Sequence, residues 1–129
     1  MFVYKNDIYL SENFFDSQNS KTTRQITNDG LENTIYNGVT DWLYEEEILL
    51  QTNAIWWAPD SSRFAYIKFN DSLVEYYYFP IYDGSAYGGL NKVRYPKPDT
   101  RNPKVTIYVY DVTTKANIEL TIPKVFINA

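Results

Sequence analysis

Hydrophobic and polar positions in this chain alternate in short runs, and Gly, Pro, Asn and Asp interrupt them every few residues. Phe2 to Lys5 and Ile8 to Ser11 are aromatic and β-branched runs separated by Asn6-Asp7, a pair suited to a tight turn, so they predict a hairpin. Glu12 to Thr23 is polar and reads as a loop. Arg24 to Thr27 predicts a brief strand stopped by Asn28-Asp29-Gly30. The pattern changes from Thr40 to Leu50, where Trp42, Leu43, Ile48 and Leu49 mix with acids at roughly helical spacing behind Asp41, a good N-cap; a short helix is expected over Asp41 to Leu49.

Extended character returns at Ala54 to Ala58. Pro59-Asp60-Ser61-Ser62 then supplies a hairpin connector to Arg63 to Asn70. Val74 to Tyr82 is aromatic and extended. Asp83 to Arg101 carries Gly84, Gly88, Gly89, Pro96 and Pro98 and predicts an irregular loop. Lys104 to Asp111 sets Val105, Ile107 and Val109 against Thr106, Tyr108 and Tyr110 with a period of two. A turn at Thr113-Thr114-Lys115 leads to a last strand, Asn117 to Ile122, ended by Pro123.

Short strands in hairpin series with one short helix match the four-stranded blade of an all-β propeller. The expected division is closing strands of one blade over 1–30, a linker with the acidic helix over 31–53, a next blade over 54–122 with an inserted loop at 71–103, and a tail at 123–129. Propellers close with about four to eight blades, and 129 residues supply only one to two, so a segment of a longer propeller is expected.

Composition narrows the chemistry. Twelve basic against 16 acidic side chains give a net charge of −4, which disfavours nucleic acid and anionic membranes as partners. Thirteen Tyr, 7 Phe and 3 Trp exceed what disordered chains carry. The absence of His and Cys removes Ser-His and Cys-His nucleophile pairs, disulfides and most zinc sites, so no metal, cofactor or catalytic residue is expected within the chain. No basic segment followed by an apolar run, and no apolar window of about 18 residues, predicts a signal peptide or an anchor.

Glu45-Glu46-Glu47 is the most informative run. In isolation, three adjacent acids on a short amphipathic helix read as a solvated face. Their mutual repulsion also makes two of them a suitable receptor for a cation, and a primary ammonium with three donors matches. Trp56 and Trp57, before a tight turn, read as packing between sheets rather than as a stacking platform. Asn70-Asp71-Ser72 fits the N-glycosylation pattern at Asn70.

Tyr36-Asn37-Gly38-Val39-Thr40-Asp41-Trp42-Leu43-Tyr44-Glu45-Glu46-Glu47, Trp56-Trp57-Ala58-Pro59-Asp60, Phe64-Ala65-Tyr66, Phe69-Asn70-Asp71-Ser72, Tyr95-Pro96-Lys97 and Asn102-Pro103 together resemble the β-propeller region of the dipeptidyl peptidase IV family. The resemblance implies a propeller of about eight blades joined to an α/β-hydrolase domain that removes N-terminal dipeptides through a Ser-Asp-His triad. It also implies that Glu46 and Glu47 bind the free N-terminal amine of the peptide, and that Asn70 carries a glycan. The triad cannot lie here, since the chain has neither His nor a Gly-x-Ser-x-Gly elbow. The implied parent is extracellular or at the cell surface. Its implied partners are a peptide with a free amine and the remainder of the propeller and hydrolase domain, and the resemblance allows a homodimer of the parent. Catalytically silent members that attach to membrane proteins such as channels keep the same acidic run. A silent, partner-binding homologue and a free-standing acidic aromatic module therefore stay open as alternatives.

Overall fold

The computed structural model describes residues 1–12 and 22–121. Its strands are β1 (Phe2–Tyr4), β2 (Asp7–Glu12), β3 (Thr22–Gln25), β4 (Ile35–Asn37), β5 (Ile55–Trp57), β6 (Arg63–Asn70), β7 (Tyr76–Ile81), β8 (Gly89–Arg94), β9 (Lys104–Asp111) and β10 (Asn117–Leu120). All pairings are antiparallel, and the only helical element among the described residues is one short turn after β4, so the chain is all-β in the manner of propeller blades. No helix among them is long and apolar enough to cross a membrane.

The first sheet runs β1-β2-β3. Its hairpin turns on Lys5 (φ 50°) and Asn6 (φ 64°), one residue earlier than the sequence predicts, with Tyr4 paired to Asp7. Two left-handed residues in a two-residue loop match the twist of the flanking strands. Asp7 is thereby freed to point inward. Its Oδ1 accepts hydrogen bonds from the Thr27 hydroxyl (2.8 Å), the Gly30 N–H (2.9 Å) and the Asn37 amide (3.3 Å). Thr27 accepts the Ile8 N–H in turn at 2.9 Å. This connected set holds the start of β2, the central strand of the first sheet, to the end of β4.

In the second sheet the order is β10-β9-β6-β4, and β5 shares with β4 the same edge of β6: Ile55 to Trp57 pair with Tyr66 to Phe64, and Ile35 to Asn37 pair with Asn70 to Lys68. Central β6 pairs with β9 along its whole length, from Arg63–Asp111 to Asn70–Lys104. Alternation puts Phe64, Tyr66, Tyr108 and Tyr110 on one face, where they meet Ile8 of the first sheet and Ile55, with Val3, Ile26 and Val112 packed around them. Phe64 lies 5.2 Å from Tyr110 and Tyr66 stacks 5.3 Å from Tyr108, ring centre to ring centre. Each such side chain withdrawn from water contributes about 1.5–3 kcal/mol. The opposite face leaves Trp56, Ile107, Ile118 and Leu120 exposed.

Two expectations are corrected. The span Asp83 to Arg101 is not wholly irregular: β8 pairs with β7 from Tyr76–Arg94 to Ile81–Gly89, because β-branched and long side chains at Leu90 to Arg94 extend alongside the aromatic strand, with Lys92 and Arg94 both over the Tyr76 ring. Trp56 and Trp57 do not pack between sheets; on opposite faces of an edge strand they remain 42% and 43% exposed, with Trp57 against Phe64. The short helix forms where expected, at 42–48. The Glu12 to Thr23 loop lies mostly outside the described residues, its last two residues belonging to β3; Ile122 and the tail at 123–129 also lie outside them.

Candidate functional site

The acidic run sits on an excursion from the sheet whose two feet are tied together. Val39 bridges Asn53, Thr40 donates its N–H to Thr52 O (3.1 Å) and its hydroxyl to Gln51 O (3.1 Å), and Ala54 donates to Gly38 O (3.0 Å). Gly38 in turn donates to Ile67 O on β6 at 2.9 Å. Its φ of +71° and a close approach, in which an added Cβ would meet Ile55 Cδ1 at 2.6 Å, make glycine necessary there. The base of the excursion is thus fixed to the central strand.

Asp41 opens the turn. Its Oδ1 accepts the Tyr44 N–H at 2.8 Å and its carbonyl accepts the Glu45 N–H at 3.0 Å, a side-chain cap followed by one α-type bond. The next bond is wider, from Leu49 N–H to Tyr44 O at 2.8 Å, so the short helix expected over Asp41 to Leu49 forms at 42–48 and is wound as a π-helix over Tyr44–Ile48. Left-handed Leu50 (φ 54°) then ends the helix and turns the chain back towards Asn53. Two aromatic contacts anchor the segment: Tyr44 on Phe69 of β6 (4.7 Å) and Trp42 on Tyr95 beyond β8 (4.8 Å).

On this turn Glu45 is half-buried, whereas Glu46 and Glu47 are exposed. None of the three carboxylates has a hydrogen bond or ion pair among the described residues. Two adjacent carboxylates on a turn held at both ends are free to receive a cationic ligand. Among the described residues no group of three or more acidic side chains is placed to hold a metal ion.

Beneath the turn lie two residues whose burial the sequence does not announce. Asp41 and Asp71, 1% and 2% exposed, are hydrogen-bond neighbours through their carboxyl groups. Burial, then the charge of Asp41, pushes the Asp71 carboxyl up to about 7; burial also raises Asp41, against the Tyr44 N–H that favours its ionised form. Burial, then the Asp71 and Asp41 charges, pushes the Tyr36 hydroxyl up to about 12. The Arg94 guanidinium, 4.0 Å over the Tyr76 ring and donating to Asn33 O and Val74 O, offsets part of this negative charge. Capping chemistry singles out Asp41 in the sequence. Asp71 looks like part of a glycosylation pattern, and only the pairing of β4 with β6 brings it under the turn. Asn70 ends β6 half-buried, its Oδ1 accepting the Ser72 N–H at 2.9 Å.

A family model described as the dipeptidyl peptidase IV N-terminal region matches residues 1–129. The chain belongs to the dipeptidyl peptidase IV family. Among family members, a putative dipeptidyl aminopeptidase of Schizosaccharomyces pombe is 37% identical over 124 residues, covering 90% of this chain and 15% of its own length. The inactive dipeptidyl peptidase 10 of mouse is 35% identical over 127 residues, covering 98% of this chain and again 15% of the relative. The crystal structure of Porphyromonas gingivalis dipeptidyl peptidase 4 superposes with a TM-score of 0.82 at 33% identity, covering 95% of this chain and 16% of that one. The chain therefore spans about a sixth of the length of these family members, within their N-terminal region.

Proposed function

We propose that this segment serves a dipeptidyl peptidase IV-like serine exopeptidase by binding the N-terminal ammonium of the peptide substrate between Glu46 and Glu47. The observation that carries this reading is two exposed carboxylates, unpaired among the described residues, on a capped turn whose base is tied to the central strand. A primary ammonium presents three N–H donors and one positive charge, which two adjacent carboxylates can share. Glu45 is half-buried at the start of the turn and stands outside the clamp. The hydrolytic residues belong to the remainder of the parent, whose location is extracellular or at the cell surface, with a glycan on Asn70.

A second reading has its own support in the 35% identity to the inactive dipeptidyl peptidase 10 over nearly the whole chain: the parent is then silent and works by binding a membrane protein. Steady-state kinetics of the full-length parent on a dipeptidyl substrate, with Glu45, Glu46 and Glu47 each changed to Gln, tests the first reading. Losses at Glu46 and Glu47 with near-normal activity at Glu45 are expected. Equal, small losses at all three positions would reduce the run to a solvated face, and absence of turnover in the wild type would favour the silent parent.

A further inference from the structure

The amine-binding reading leaves unexplained why the acidic turn stands on two further acids that water does not reach. Asp41 Oδ2 and Asp71 Oδ1 are both buried, and neither finds an N–H or O–H donor. Two ionised carboxylates in hydrogen-bond contact would each present only lone pairs to the other. One proton held between them supplies the missing donor and leaves a single negative charge, which Arg94 faces.

We propose that Asp41 and Asp71 form a one-proton carboxyl–carboxylate pair that positions the acidic turn over the end of β6. Asp41 is the ionised member, since its Oδ1 accepts the Tyr44 N–H at 2.8 Å; Asp71 is the protonated member and donates to it. Asp71 is itself held in place, its N–H donating to Thr34 O (2.8 Å) and its carbonyl accepting the Val74 N–H (2.9 Å). A continuous path of hydrogen bonds therefore runs from Thr34, just before β4, and the β6–β7 connection through the shared proton to the first N–H groups of the turn that carries Glu46 and Glu47. Both residues are positioning residues, with no contact to the substrate. The titratable and charged groups facing the pair are Tyr36 of β4, Tyr44 of the turn and Arg94 of β8, with Tyr76 of β7 beside Tyr36. Burial, then the nearby aspartate charge, raises the Tyr36 and Tyr44 hydroxyls further from the neutral range, so they do not compete with the pair for its proton there. Loss of its proton sets two buried anions against each other and loosens the turn.

The inference rests on the amine-binding reading only for its effect on substrate, so the test separates the two. Hydrogen exchange of residues 41–49, followed by mass spectrometry in the full-length parent, reports the turn without any ligand. Asp71→Asn keeps a donor towards Asp41 and cannot ionise; Asp41→Asn, the second variant, keeps an oxygen acceptor for Tyr44. From pH 5 to 7 the wild-type segment should exchange progressively faster than either variant at the same pH, the difference reaching about tenfold above pH 8. Asp71→Ala, which removes the donor, should exchange fast at every pH and be rescued by Asn. KM for a dipeptidyl substrate should rise with pH more steeply in the wild type than in Asp71→Asn, the titration of the substrate amine being common to both. Coincident exchange profiles at all pH values would overturn the pair. Divergent exchange with parallel KM profiles would keep the pair and overturn the amine reading.

Discussion

Tyr44 lays its ring 4.7 Å from that of Phe69, tilted by 54°, and so pins the acidic turn to the one fully buried phenylalanine near the end of the central strand. Phe69 is 0% exposed although it lies on the face of β6 opposite the main core, and the Tyr44 ring of the excursion is part of its cover. Phe69→Ala should cost about 3–5 kcal/mol, with the loss concentrated at the excursion. Limited proteolysis of the full-length parent should show new cleavage between Thr40 and Thr52. Wild-type resistance in the variant would mean that the feet at Val39 and Asn53 suffice to hold the turn.

How much of this was legible in the sequence differs by element. Alternation in Lys104 to Asp111 and the Pro-Asp-Ser-Ser connector gave β9 and the β5–β6 hairpin their places, because period and turn chemistry are local signals. β4, three residues long, was missed: Ile35 to Asn37 pair with the far end of β6, across the excursion, and nothing local reports that partner. The same non-local pairing hid Asp71. Asn6-Asp7 suggested the right turn in the wrong register, since Asp7 is recruited by Thr27 and Gly30, more than 15 residues away in sequence. For the site, the acidic run was visible and its support was not.

Asp7 illustrates the energetic weight of that distant support. Three donors converge on its Oδ1, and Asp7→Ala would leave the Thr27 hydroxyl, the Gly30 N–H and one Asn37 N–H without this acceptor in a buried setting. A loss of about 3 kcal/mol or more is expected, larger than for Asp7→Asn, which retains an oxygen. Denaturant titration of the full-length parent, monitored by exchange of residues 22–30, gives the comparison. Equal midpoints for the two variants would show that the shared oxygen is dispensable.

The 129-residue chain by itself should associate. Among the described residues, Trp56, Ile107, Ile118 and Leu120 form an exposed apolar face on the second sheet, and no further strand pairs with β10 at its edge. Faces and edges of this kind favour self-association. Analytical ultracentrifugation at micromolar concentration should show species above the 15.2 kDa monomer. A monodisperse monomer with a sharp cooperative melt would instead favour a free-standing binding module.

For the clamp, the magnitude follows from charge. A peptide α-amine, with a pKa of about 7.7 to 8.0, is mostly cationic at neutral pH, and a hydrogen bond to a charged group is worth about 1.5–3 kcal/mol. Glu46→Gln and Glu47→Gln should each lower kcat/KM by roughly 10- to 150-fold in the full-length parent. N-acetylated peptides, which bring no charge, should be refused by the wild type and discriminated less by the double variant. A large loss at Glu45 alone would place the clamp one residue earlier.

Stability should respond to pH in opposite directions through two aspartates. The Thr114 backbone N–H, with Arg63 beside it, holds the Asp111 carboxyl down at about 2, so its contribution is present above the ordinary aspartate value near 3.8 and is lost as pH falls through 2. Asp71 has the reverse sign. Its folded value of about 7 exceeds the unfolded one, so the folded state keeps a proton that the unfolded chain releases from pH 4 upward. That contribution is whole below pH 4 and declines as pH rises to 7, beyond which the curve is flat because both states are ionised. The melting temperature of the full-length parent carrying Asp71→Asn, compared with wild type, should therefore gain on the wild type steadily between pH 4 and pH 7 and then keep a constant lead. Asp111→Asn should change the difference only at the acid end, and modestly, since its partner Arg63 is exposed to water. A difference between Asp71→Asn and wild type that stays constant from pH 4 to 8 would mean that Asp71 ionises normally in the folded protein.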